Sequence, residues 1–311
     1  MKLTQLLLPS LLLFTCTPSQ AKPSFLATEL GSFAVLGASA VTNTGATKLV
    51  GNLGVSNNPS ITGITGFFGT LANDGPGLVN GAIHQGDNFS TLAGSQLALT
   101  KSSLALLGPG TTLGADLTGL VLAPGTYTVL AGTSNLTGAV TLDGGGNNNA
   151  YWVFQLPSTL ITSSASFVKL VNTGSGAGVY WNVGSSATLG ANSTFEGNLL
   201  ATASITMNSG VNLSCGRALA QTGAVTLIGD TVNAASCFGT VGAGSQGLGG
   251  GLSLFKPGGM PQILPYSAIP AIPEPATYAM LLAGIGLMGS VIKKRALVDA
   301  RSGQSQCPIC L

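Results

Sequence analysis

Seven carboxylates lie between Lys22 and Pro270: Glu29, Asp74, Asp87, Asp116, Asp143, Glu196 and Asp230. Glycan hydrolysis or a metal site needs such groups in clusters, and these are scattered singly, which reads as caps and turns. A glycan-active enzyme would need two of them brought together by folding. His84 is the only histidine and Arg217 an isolated base, so no Ser/His/Asp set or histidine-based metal site can be assembled. The run Asp143-Gly144-Gly145-Gly146-Asn147-Asn148-Asn149 lacks the carboxylates of a calcium loop and reads as a turn. No enzyme activity, cofactor or metal is expected. Of the five cysteines, Cys16 falls in an N-terminal leader, and Cys307-Pro308-Ile309-Cys310 has redox or metal spacing without a second pair. Cys215 and Cys237 remain, and in an exported chain they are expected to form a disulfide closing the last coil.

The elements that would carry any site are unusual in composition. Charged residues make up 6% of the chain against 45% hydrophobic, with 46 glycines, so hydroxyls and amides must do the work of solubility. Between Lys22 and Pro270 six basic residues (Lys22, Lys48, Lys101, Lys169, Arg217, Lys256) face the seven acidic ones. This near-neutral body excludes nucleic acid and an anionic membrane surface as natural partners. β-Branched residues are plentiful and strong helix formers scarce, so strands should dominate.

Gly178, Gly197 and Gly216 recur about every 19 residues, a solenoid period. Within each unit lie short alternating runs, such as Ala187-Thr188-Leu189, Ile205-Thr206-Met207 and Val225-Thr226-Leu227, with Thr outward and apolar residues inward. Coils this short bury their apolar face only by stacking. The segments Leu30 to Phe68 and Leu113 to Asn172 show the same short strands. Gly86 to Leu107 differs: Asp87 or Asn88 can cap a helix whose Phe89, Ala93, Leu97, Leu104 and Leu107 share one face, and Gly108-Pro109-Gly110 ends it. The predicted fold is all-β dominated, a β-solenoid (β-helix) with one long α-helix alongside.

The termini read separately. Residues 1–21 form a secretory signal peptide, with Lys2, an apolar core and Ser19-Gln20-Ala21 at the exit. Residues 22–238 are the solenoid domain and 239–272 a Gly/Pro-rich linker. Pro273-Glu274-Pro275, an apolar run to Ile292 and Lys293-Lys294-Arg295 occupy 273–295, with a tail at 296–311. This tripartite segment resembles the PEP-CTERM sorting signal. The resemblance implies a Gram-negative source, an exosortase-type partner, transient membrane insertion by a C-terminal transmembrane helix, and a secreted or cell-surface product.

Phe33-Ala34-Val35-Leu36-Gly37, Val41-Thr42-Asn43-Thr44-Gly45, Gly51-Asn52-Leu53-Gly54-Val55-Ser56, Leu122-Ala123-Pro124-Gly125-Thr126-Tyr127, Gly197-Asn198-Leu199-Leu200-Ala201 and Gly216-Arg217-Ala218-Leu219-Ala220 resemble the ice-binding (antifreeze) family. That family implies a right-handed, discontinuous β-solenoid with a flanking helix, and adsorption to the ice crystal surface by a flat Thr-rich face that inhibits ice growth or recrystallisation. The candidates are Thr42, Thr44, Thr47, Thr62, Thr65, Thr188, Thr206 and Thr226, with Thr194, Asn212 and Thr231 on a second side. The second reading is a structural or adhesive protein of an exopolysaccharide matrix without ice activity.

Overall fold

A computed structural model of the chain describes Leu26 and residues 28–234 save 131, 148, 149, 175 and 176. Beyond these it describes only the backbone of four dipeptide strands, Ser236–Cys237, Thr240–Val241, Leu252–Ser253 and Gln262–Ile263. The chain divides into two units, Met1–Ile269 and Pro270–Leu311; the described residues belong to the first. The expected signal peptide, transmembrane helix, Pro273-Glu274-Pro275 motif, Cys307 and Cys310 lie outside the described residues. Within the expected linker, Leu252–Ser253 pairs antiparallel with Gln262–Ile263.

Twenty-four short strands make three parallel sheets of nine, seven and eight strands. The nine-stranded sheet runs Ile83–Gln85, Asn52–Val55, Phe33–Gly37, Ala218–Ala220, Asn198–Ala201, Gly178–Val183, Tyr151–Leu156, Gly125–Val129, Thr111–Leu113. The seven-stranded sheet runs Ser134–Leu136, Leu160–Thr162, Ala187–Leu189, Ile205–Met207, Val225–Ile228, Val41–Thr44, Ile64–Thr65. The eight-stranded sheet contains, in order, Leu78–Asn80, Lys48–Val50, Thr231–Asn233, Asn212–Ser214, Thr194–Glu196, Phe167–Thr173, Ala139–Asn147 and Val121–Leu122. One strand from each sheet makes a coil.

Spatial order is not chain order. The N-terminal coil pairs with Ala218–Ala220 on one side and with Asn52–Val55 on the other. After Ile83–Gln85 the chain is at one end of the stack, and its next strand, Thr111–Leu113, is at the other. Nine strands at about 4.8 Å per step are about 38 Å deep. The 18-residue helix Asn88–Ala105 covers about 27 Å of that return, and the segments either side of it supply the rest. Asp87 caps this helix, accepting from the Ser90 N–H at 2.8 Å.

The interior is filled by inward residues of all three sheets. Tyr127, Phe154 and Trp181 occupy successive rungs, and Phe154 and Trp181 stack at 4.0 Å between centroids and 7° between planes. The corner glycines that set the period are explained by backbone approach: a Cβ on Gly216 would lie 1.7 Å from the Gly197 carbonyl oxygen. The uneven spacing of the Thr positions, 18 residues from Thr188 to Thr206 and 20 from Thr206 to Thr226, is absorbed at corners, and the rungs stay aligned. One such extra corner residue is Cys215, at φ 56. Cys215 is disulfide-bonded; the side chain of its expected partner, Cys237, lies outside the described residues.

Candidate functional site

The three outer faces have different fates. On the nine-stranded sheet the outward column is Thr128, Gln155, Asn182, Leu200, Leu219, Leu36, Gly54 and His84. The long helix covers its leucines with Ala93, Leu97 and Leu104, joined by Leu26 and Leu30. Lys101 fastens this contact: its buried Nζ donates to Asn182 Oδ1 at 2.7 Å and to the carbonyls of Val183 and Leu200 at 2.9 and 2.8 Å. Burial pushes its pKa down to about 8. A groove of about 480 Å³ lies beside the helix, and two of its amides are occupied by protein: Gln155 donates to the Leu104 carbonyl, and Asn182 to Gln155 Oε1.

Among the described residues nothing covers the seven-stranded sheet in this way. Its central outward column, taken through the register, is Asn135, Ile161, Thr188, Thr206, Thr226, Thr42, Thr65. Five threonines therefore stand on adjacent rungs about 4.8 Å apart. Their χ1 is stiff because Cβ is branched, so methyl and hydroxyl positions repeat with the strands. The Thr42 hydroxyl lies 3.4 Å from that of Thr226. Small residues precede each Thr by two positions, in Ser186, Ser204, Ala224, Ala40 and Gly63, which keeps that flank low. Small–apolar–Thr recurs in all five strands, but Ala139-Val140-Thr141 carries the same pattern on the eight-stranded sheet, so the signal marks such strands without choosing their face.

Thr44 shares the face, exposed at its strand's end and paired in register with Ile228. Thr62 is exposed in the turn before Ile64, its hydroxyl 3.2 Å from that of Ser60, and is not a rung. Thr47 requires a correction. It is 0% exposed, turned into the corner between two sheets, where its hydroxyl donates to Asn43 Oδ1 and accepts from the Asp230 N–H. A residue so placed cannot meet an external surface.

On the eight-stranded sheet Thr194, Asn212 and Thr231 do form consecutive rungs. Their column continues into Phe167 on one side and Lys48 then Leu78 on the other. Its other outward positions include Glu196 and Lys169. This face is chemically mixed, whereas the seven-stranded face holds five threonines in an unbroken run.

The carboxylates act mostly as local acceptors. Asp116 receives the Thr118 N–H and hydroxyl, Asp143 the Gly145 N–H, Asp74 the Gly66 N–H, and Glu29 a Gln96 amide hydrogen. Asp230 accepts from Val211 and Ile228 N–H, and burial raises its pKa to about 6. Burial raises Glu196 further, to about 7. Arg217 spends its guanidinium on the Gly31 carbonyl and Asn198 Oδ1, tying the N-terminal turn to the late coils. Among the described residues no group of three metal-ligating side chains comes together.

Residues 35–233 match the Ice-binding-like family. The chain belongs to that family. An ice-binding protein of Nostoc sp. (strain HG1) is 44% identical over 215 residues, covering 69% of this chain and 75% of that protein. The crystal structure of an ice-binding protein from the Antarctic ascomycete Antarctomyces psychrotrophicus superposes with a TM-score of 0.59 at 35% identity, over 68% of this chain and 98% of that one. A second ice-binding protein structure, from an Antarctic biological consortium, gives 0.60 at 35% identity, over 70% and 96%. Residues 271–295 match the PEP-CTERM protein-sorting motif. The family match spans the helix-covered and the bare faces together, so it does not by itself single out either.

Proposed function

We propose that this protein adsorbs to ice through the bare face of its seven-stranded sheet. The observation that carries this reading is the ladder Thr188, Thr206, Thr226, Thr42, Thr65 in direct register on a parallel sheet that no other described residues cover. An ice surface is a rigid, periodic array of water molecules. It is matched by a rigid, periodic array of methyls that order the adjacent water and hydroxyls that anchor it. Adsorbed protein forces ice to advance as curved fronts between bound molecules, which lowers the local freezing point. The right-handed, discontinuous winding supplies the length of the ladder, because N-terminal strands add Thr42 and Thr65 to the three rungs of the late coils. Thr44 extends the contact laterally.

Export completes the proposal. The chain leaves the cytoplasm by its N-terminal signal peptide, and an exosortase-type enzyme recognises Pro273-Glu274-Pro275 after transient insertion of the following apolar segment. The product is then secreted or held at the bacterial surface, where ice forms. Its ice-binding relatives favour this over a purely structural role in an exopolysaccharide matrix.

Thermal hysteresis and ice-recrystallisation assays test the reading. The wild-type chain should slow ice growth, and Thr206→Tyr, at the middle rung but one, should remove most of that effect with the far-UV spectrum unchanged. Full activity in Thr206→Tyr would contradict the assignment of the face.

A further inference from the structure

The Thr ladder is continuous in space but not in sequence. From Thr188 to Thr206 and from Thr206 to Thr226 each rung follows its neighbour by one turn of the coil. From Thr226 to Thr42 the step is between segments 184 residues apart, and no local connection sets its register. The corner beside this step holds a polar network, buried at Asp230 and Thr47 and half-buried at Asn43. Asp230 Oδ1 accepts from the Val211 N–H at 2.8 Å and Oδ2 from the Ile228 N–H at 2.7 Å. The Asp230 N–H donates to Thr47 Oγ1 at 3.0 Å, and its carbonyl receives the Lys48 N–H at 2.8 Å. Thr47 Oγ1 donates to Asn43 Oδ1 at 2.5 Å, and Asn43 Nδ2 donates to the carbonyls of Gly45 and Gly66 at 2.9 and 2.7 Å.

These bonds cross four successive coils, those of Val211, Ile228, Asn43 and Gly66. Gly66 is at φ +82, and a Cβ there would lie 1.9 Å from the Asn43 carbonyl oxygen, so the last coil can close on the network only at a glycine. Thr47 and Asp230 are 0% and 1% exposed. Buried polar groups in low dielectric hold geometry tightly when all are satisfied. Asn43 lies between Thr42 and Thr44 on one strand, and Ile228 ends the strand of Thr226. The network therefore acts on the two strands that meet at the long-range step.

We propose that Asn43, Thr47 and Asp230 are positioning residues for ice adsorption: a clamp that fixes the Thr42–Thr65 half of the ladder in plane and in phase with the Thr188–Thr226 half. The proposal rests on the seven-stranded sheet being the ice face. A rigid lattice partner makes the clamp matter. A small offset between the two halves leaves each half intact yet prevents both from fitting one crystal plane.

The test compares thermal hysteresis per folded molecule in the full chain for four variants. Thr47→Val keeps the shape but leaves Asn43 Oδ1 and the Asp230 N–H short of a partner; Thr47→Ser restores the hydroxyl. Lys101→Met is a destabilised control on the helix side, and Thr206→Tyr tests the face itself. The clamp predicts a severalfold loss in Thr47→Val well below its unfolding temperature, recovery in Thr47→Ser, and wild-type hysteresis in Lys101→Met at a comparable loss of Tm. Should Thr47→Val fail to fold, Asn43→Ala takes its place. Full hysteresis in Thr47→Val with loss in Thr206→Tyr overturns the clamp and leaves the face standing. Parallel losses in Thr47→Val and Lys101→Met, scaling with Tm, overturn the clamp as well. Retained hysteresis in Thr206→Tyr overturns the face and the clamp together.

Discussion

Leu200, Leu219 and Leu36 occupy consecutive outward rungs of the nine-stranded sheet, and Thr206, Thr226 and Thr42 consecutive outward rungs of the seven-stranded sheet. The two columns belong to the same coils, a corner apart. Each leucine buried under the helix contributes about 1.5–3 kcal/mol, and that gain holds the helix in place. Threonine in those positions would leave the helix little to dock on. The seven-stranded face has the opposite composition and, among the described residues, no cover. A solenoid offers several equivalent outer faces, and the residues placed there decide which is closed by the protein itself and which is left for a partner.

Breaking the helix contact should leave ice binding alone. Lys101→Met strips a donor from Asn182 Oδ1 and from the Val183 and Leu200 carbonyls, and denaturant unfolding should show a loss of about 2–4 kcal/mol. Hysteresis measured near freezing should stay at the wild-type level, because the ladder lies on another sheet. Lengthening the ladder should sharpen the contrast. Ile161, 42% exposed, is the rung beside Thr188, and Ile161→Thr would make a sixth threonine. The expected gain in hysteresis is less than about twofold, since added contact area converts to affinity inefficiently.

The smallest effect concerns pH and the third face. Burial holds Glu196 at about 7 and Asp230 at about 6, above their ordinary values. A carboxyl whose pKa is raised on folding binds its proton more tightly in the native state. Its contribution to stability is complete below the unfolded pKa and is lost as pH rises through the folded one. Tm should therefore fall modestly between about pH 4.5 and 7, and Glu196→Gln should flatten that fall. An unchanged slope in Glu196→Gln would place the titration elsewhere.

Much of this architecture was legible in the residues. Glycine period, alternating runs and the apolar stripe from Phe89 to Leu107 point to solenoid and helix, with Asp87 or Asn88 as the cap, and the structure selects Asp87. Thr42, Thr65, Thr188, Thr206 and Thr226 are all among the candidates the sequence offers, and they share one column. Thr47 leaves the face because Thr44-Gly45-Ala46-Thr47 turns a corner between two sheets, and corner geometry depends on backbone contacts made by Gly66 and Asp230, far away in the chain. The choice of face was illegible for a deeper reason. Thr137-Gly138-Ala139-Val140-Thr141-Leu142 and Thr222-Gly223-Ala224-Val225-Thr226-Leu227 are identical hexapeptides. Thr226 stands between Thr206 and Thr42 on the seven-stranded sheet, whereas Thr141 stands between Val121 and Lys169 on the eight-stranded one. Local sequence makes the strand, and stacking decides its neighbours.

That pair supplies the most direct test of the central claim. Thr226→Tyr and Thr141→Tyr place the same bulk in the same local sequence, on different faces. Thermal hysteresis at matched concentration should collapse in Thr226→Tyr, by roughly tenfold or more as for a central residue of a binding surface, and stay near wild type in Thr141→Tyr. Equal losses in the two, or loss in Thr141→Tyr alone, would contradict adsorption through the seven-stranded face.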